Sequence, residues 1–134
     1  MDRAMVAELE RRGVGPADFR ARQVSPLDLQ ADLILTMTIA QRRHLLEEEP
    51  SVARRTGLLG AVPHLARLVT EEQRGLDAAV IARWSRTPAP RSAEVPDPFG
   101  RGSEQAARSA AMLDDLVGVL AALLTPGASA ASRP

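Results

Sequence analysis

Apolar positions along this chain follow two different periods. Met1, Met5 and Leu9 recur every fourth residue with Val6 beside them, which predicts an amphipathic helix over 2–12. Gly13 and Gly15-Pro16 end it. Ser25-Pro26-Leu27-Asp28 is a second start signal. Serine can cap, proline suits the first helical position and the carboxylate can reach back, so one short helical turn is expected there. The period then changes. Residues 31–37, Ala-Asp-Leu-Ile-Leu-Thr-Met, are short and almost continuously apolar at their centre. That pattern predicts a strand buried on both faces of a parallel sheet. Thr38-Ile39-Ala40-Gln41 has the spacing of a capping box and opens a helix over 39–49, which Pro50 closes.

The second half repeats the alternation less clearly. Residues 54–59 form a weaker strand candidate, and 63–69 read as helical. Thr70 to Gln73 is another capping-box spacing, expected to open a helix running toward Trp84. Pro88, Pro90 and Pro96 make 85–96 a loop or linker. The last helix starts at Ser103 or Glu104 and carries the stripe Leu113, Leu116, Val117, Leu120, Leu123, Leu124. Residues 125–134 are small and polar, and a disordered tail is expected there. Strand, helix, strand, helix is α/β order in one domain over 1–124. Two strands make a small parallel sheet in which each keeps an unpaired edge, so the pattern alone implies that part of the fold is missing.

Composition narrows the function classes. The chain has 134 residues, of which 45% are hydrophobic, which suits one small domain with a core. Seventeen Lys+Arg balance seventeen Asp+Glu, so no general field draws it to nucleic acid or to an acidic membrane. Trp84, Phe19 and Phe99 are the only aromatic residues, too few for a base-stacking platform. There is no cysteine, hence no thiolate ligand, disulfide or cysteine nucleophile within these residues. The first residues do not resemble a signal peptide, and 116–124 is too short to span a bilayer, so a cytoplasmic location is expected.

Three segments in order carry a resemblance. They are Phe19-Arg20-Ala21-Arg22-Gln23-Val24; residues 31–38 leading into a helix with Arg42 and Arg43; and Val95-Pro96-Asp97-Pro98-Phe99-Gly100 before the last helix. Together they resemble the low-molecular-weight protein-tyrosine phosphatases over most of 1–124, with 70–93 looking like an insertion. The resemblance implies a three-layer α/β fold whose parallel sheet is flanked by helices. It also implies hydrolysis of phosphotyrosine in a protein substrate through a phosphocysteine intermediate, with no cofactor and no metal. In that family, a cysteine, five residues, an arginine and Ser/Thr follow the first strand. Their backbone N–H groups and a helix N-terminus face the phosphate, and the cysteine attacks as thiolate.

None of that signature occurs here. The strand, loop, helix and strand that carry it would lie before Met1, a unit on the order of 30 residues or more. The expectation is therefore an incomplete phosphatase-like domain, from a truncated gene product or a start assigned too late, inactive as it stands. The alternative is a noncatalytic remnant or interaction module. An arsenate reductase, which shares the fold, ranks last because its chemistry needs redox cysteines.

The resemblance assigns Asp97 the role of general acid, protonating the leaving tyrosyl oxygen and later activating water. The plain alternative is a surface Asp-Pro turn. Phe99 resembles the aromatic residue at the mouth of the site, and could equally anchor the loop on the last helix. Other chemistry-bearing residues have bland readings. His44 and His64 read as half-exposed helix histidines rather than ligands. Arg42-Arg43, Arg54-Arg55 and the run Glu47-Glu48-Glu49 read as solvated faces. Met1, Met5, Met37 and Met112 read as core filler, while Ser25, Ser51 and Ser103 lack nucleophile context.

Overall fold

A computed structural model describes residues 1–75 and 77–127. Helix α1 spans Arg3–Arg11 and starts where the Asp2 side chain accepts a hydrogen bond from the Ala4 N–H. The Ser25 turn forms as its sequence implies: the Asp28 carboxylate accepts from both the Ser25 N–H and its hydroxyl, each at 2.8 Å. Strand β1 is Ile34–Thr36, and α2, Ile39–Glu48, follows with its capping box complete. Strand β2 is Thr56–Leu58 and α3 is Val62–Ala66. Helix α4 is Ala78–Ser85 and α5 is Gly102–Leu124.

The two strands pair in parallel, Ile34 opposite Thr56, Leu35 opposite Gly57 and Thr36 opposite Leu58. The class is thus mixed α/β, with a short two-stranded parallel sheet flanked by helices. Strand residues alternate faces. Leu33, Leu35 and Met37 fall on one side and pack, partly buried, against a core of Leu58, Leu65, Val80, Trp84, Leu116 and Leu123, among others. Helix α2 touches both strands, α4 packs on β2, and α5 receives α1 and α3 along its length.

Several expected boundaries move, each for a local reason. The strand over 31–37 shortens to three paired residues because β2 is itself only three long. The second strand loses its start to a 3-10 segment, Pro50–Arg55, in which proline takes the first position. The Thr70 capping box closes on Gln73, but it caps a single 3-10 turn, Glu71–Gln73. The chain then passes through Gly75 at φ +116, a left-handed conformation that ends the turn, and α4 begins separately with Asp77 accepting from the Val80 N–H.

Of the tail expected beyond Leu124, residues 125–127 are described. The Thr125 hydroxyl donates to the Ala121 carbonyl, and Gly127 is buried so close to the Glu71 carbonyl that a Cβ would sit 2.5 Å from its oxygen. Residues 128–134 lie outside the described residues.

Some side chains depart from their expected surroundings. Arg42 is not a solvated cation: it donates from Nη2 to the Ser85 carbonyl at 2.9 Å and so ties α2 to the end of α4. Arg55 reaches the Ala31 carbonyl at 2.6 Å. Met1 is 57% exposed and fills no core, whereas Met37 and Met112 pack against it. Glu8 is buried on α1, where Arg11 and Arg12 neutralise it, and Arg12 also pairs with Asp114 of α5. Those guanidinium groups, Arg12 foremost, hold the Glu8 carboxyl below the ordinary carboxylate range.

Candidate functional site

The segment from Ala93 to Gly102 carries both candidate residues, and it is pinned at successive points. Its path begins over Gly60. An ideal Cβ there would lie 1.5 Å from the Ala93 carbonyl oxygen, so only glycine permits the two backbones to cross. The Glu94 carboxylate accepts from the Ile39 N–H at 2.8 Å, satisfying one of the open donors at the start of α2. Val95 is buried, and its N–H donates to the Met37 carbonyl at 3.0 Å. That bond fastens the segment to the chain just past the carboxyl end of β1. The Pro96 carbonyl accepts from the hydroxyl of Ser109, a buried residue of α5, at 3.1 Å.

Asp97 follows directly. It is exposed, and its Oδ1 accepts from the Phe99 N–H at 3.0 Å, closing an Asx turn around Pro98. The Arg101 N–H donates to the Pro98 carbonyl at 3.0 Å, and the Gly100 N–H donates to the Asp2 carboxylate at 2.7 Å. Gly100 and Gly102 stand at φ +68 and +85, the left-handed region that suits glycine as the chain turns into α5. The tip therefore presents one carboxylate to solvent, two residues past the bond from Val95 to Met37, which directly follows β1.

Phe99 is 72% exposed. Asp97 and Phe99 share one turn, as their spacing requires. Neither histidine joins them. His44 pairs with Glu48 at 3.4 Å on the exposed face of α2, and His64 is exposed on α3. No group of three or more His, Asp or Glu side chains among the described residues is placed to hold a metal ion. None of the described helices is long and apolar enough to cross a membrane.

The pattern of residues gave no sign of a second feature. A cleft of about 490 Å³ runs beside β1, walled by Val24 and Leu29 on one side and by Ile34, Thr36 and Leu45 on the other. On the chain segment that supplies Val24 and Leu29 to this wall, Phe19, Val24 and Leu27 are 57%, 66% and 75% exposed. Arg22 and Asp28 form an ion pair beside it, and Arg22 is the main cause holding the Asp28 carboxyl far below the ordinary carboxylate range. The Asp2 contact to Gly100 was also invisible in sequence, since it joins residues 98 positions apart. No protein-family model, curated protein or solved structure matches the chain.

Proposed function

We propose that these residues form the acid-donating part of a phosphatase-like domain resembling the low-molecular-weight protein-tyrosine phosphatases, with Asp97 as general acid and base. One observation carries the reading: the Asp97 turn is fastened across the carboxyl end of β1 with its carboxylate open to solvent. A carboxyl group so placed protonates the bridging aryl oxygen as the P–O bond breaks. In its ionised form it then takes a proton from the water that attacks the phosphoenzyme. Phe99, beside it and exposed, offers a face for the substrate ring. The substrate class under this reading is a protein phosphotyrosine.

The nucleophile and phosphate clamp are absent from this chain, which has no cysteine. An acid without them has nothing to protonate, so the chain alone is expected to be inactive. The test supplies the missing chemistry. A strand-loop-helix-strand unit carrying Cys-x5-Arg-Ser/Thr is joined ahead of Met1, and hydrolysis of phenyl phosphate is compared with that of the chain alone. Turnover in the joined protein only supports the reading. Turnover by the chain alone, or none in a folded joined protein, contradicts it.

A second reading has its own observation. The exposed Phe19, Val24 and Leu27, on the segment whose Val24 lines the cleft beside β1, suit a noncatalytic interaction module. It gains if the joined protein is folded and inert.

A further inference from the structure

We infer that Asp2 is a positioning residue for the Asp97 turn, its single carboxylate fastening the start of α1 and the backbone at Gly100 at the same time. The inference rests on the reading of Asp97 as the acid, and it concerns what holds that acid still.

The geometry divides one side chain between two tasks. Oδ1 of Asp2 accepts from the Ala4 N–H at 2.7 Å, an N-cap within the same helix. Oδ2 accepts from the Gly100 N–H, also at 2.7 Å, from the opposite part of the chain. Hydrogen bonds to an ionised acceptor are the stronger kind, and both distances fall in their range. These two donors, Gly100 first and Ala4 second, hold the Asp2 carboxyl below the ordinary carboxylate range.

The position of Gly100 makes the contact matter. Upstream of Asp97 the segment is held by Val95 to Met37 and by Ser109 to Pro96. Downstream, before α5 begins, the Asp2 carboxylate ties it to another element. Asp97 stands between the two fastenings, and its own bond to the Phe99 N–H lies on the Asp2 side. Releasing Gly100 therefore frees the half of the turn that orients the carboxylate. A general acid works only when held within hydrogen-bond reach of the leaving oxygen, so the contact bears on the chemistry and not on α1 alone.

Asparagine separates the two tasks. It caps helices as well as aspartate does, but it has one acceptor oxygen where aspartate has two. Asp2→Asn thus leaves one of the two N–H groups without an acceptor, which is Gly100 when the amide oxygen stays on the cap, whereas Asp2→Ala drops both. The measurement is amide solvent exchange and chemical shift by NMR on the full chain. In Asp2→Asn, Gly100 exchange is expected to rise on the order of fivefold. The Phe99 amide resonance is expected to move, while α1 amides change by less than about twofold. In Asp2→Ala, the α1 amides are expected to lose protection as well.

Unchanged Gly100 and Phe99 signals in Asp2→Asn overturn the inference. So does a change confined to α1 in both variants. These outcomes need no catalysis, so they are separable from failure of the acid assignment, which shows only in turnover.

Discussion

The two strands of the sheet have the same length and opposite surroundings. All three residues of β2 are buried, and two of its carbonyls, those of Thr56 and Leu58, are approached by side chains from other elements. The Trp84 indole N–H donates to the Leu58 carbonyl at 3.2 Å, and Arg42 reaches toward the Thr56 carbonyl. The buried Thr56 hydroxyl turns back to the Val52 carbonyl at 2.9 Å. The indole also lies where a side chain at position 57 would go, 2.8 Å from an ideal Cβ, so Gly57 and Trp84 form one fitted contact. β1 has β2 on one side and the cleft on the other, and each of its residues is half-buried. A strand edge is closed by whatever supplies donors and apolar cover. On β2 a tryptophan and an arginine do so without a further strand. Among the described residues no side chain donates to a carbonyl of Ile34, Leu35 or Thr36 in this way, although the apolar run of β1 is richer.

The contrast breaks most readily from the β2 side. Trp84→Ala removes the core's largest side chain and leaves the Leu58 carbonyl without its donor. It is expected to cost about 3–5 kcal/mol in urea unfolding. Gly57→Ala pushes a methyl group into the indole and is expected to cost about 1–3 kcal/mol by the same measurement. Leu35→Ala on β1 removes a half-buried side chain and is expected to cost roughly 1–2 kcal/mol, less than full burial would give. If Leu35→Ala destabilised more than Trp84→Ala, the ranking of the two strands would be wrong.

The smallest effect expected is one of pH. Asp2, Glu8 and Asp28 all have folded-state carboxyls below the ordinary range, held there by backbone N–H groups at Asp2 and by arginines at Glu8 and Asp28. Below the ordinary range, protons bind the unfolded chain more readily than the folded one. The contribution of these groups is therefore complete above the unfolded-state value and is lost as pH falls through the folded-state value. Thermal midpoints should be flat near neutrality and fall in acid. Asp28→Asn should flatten that fall. A midpoint that rises on acidification contradicts the assignment.

Local signals read well from sequence and distant ones did not. The Thr38 to Gln41 box needs only four consecutive residues, and α2 starts where it says. Asp28 folding back on Ser25 is equally local. The Thr70 box was legible too, but the helix expected from it was not formed, because Gly75 turns the chain out of helical space. The burial of Glu8 needed Arg12 and Asp114 in place, and the latter is 102 residues further on. The site follows the same rule. Asp97 and Phe99 were named only through the resemblance that the segment Val95 to Gly100 helps to carry, since the short motif by itself reads as a surface turn. The contacts that place them come from Gly60, Met37, Ser109 and Asp2, and no periodicity links those positions.

The most direct test of the central claim uses the protein joined to a nucleophile-bearing unit, with two aryl phosphates that differ in leaving group. Protonation of the leaving oxygen matters much for phenol and little for nitrophenol, which leaves readily as its anion. Asp97→Asn is expected to lower turnover of phenyl phosphate by on the order of a hundredfold and that of nitrophenyl phosphate far less. Equal losses on both substrates, or no loss on either, would contradict a general acid at Asp97.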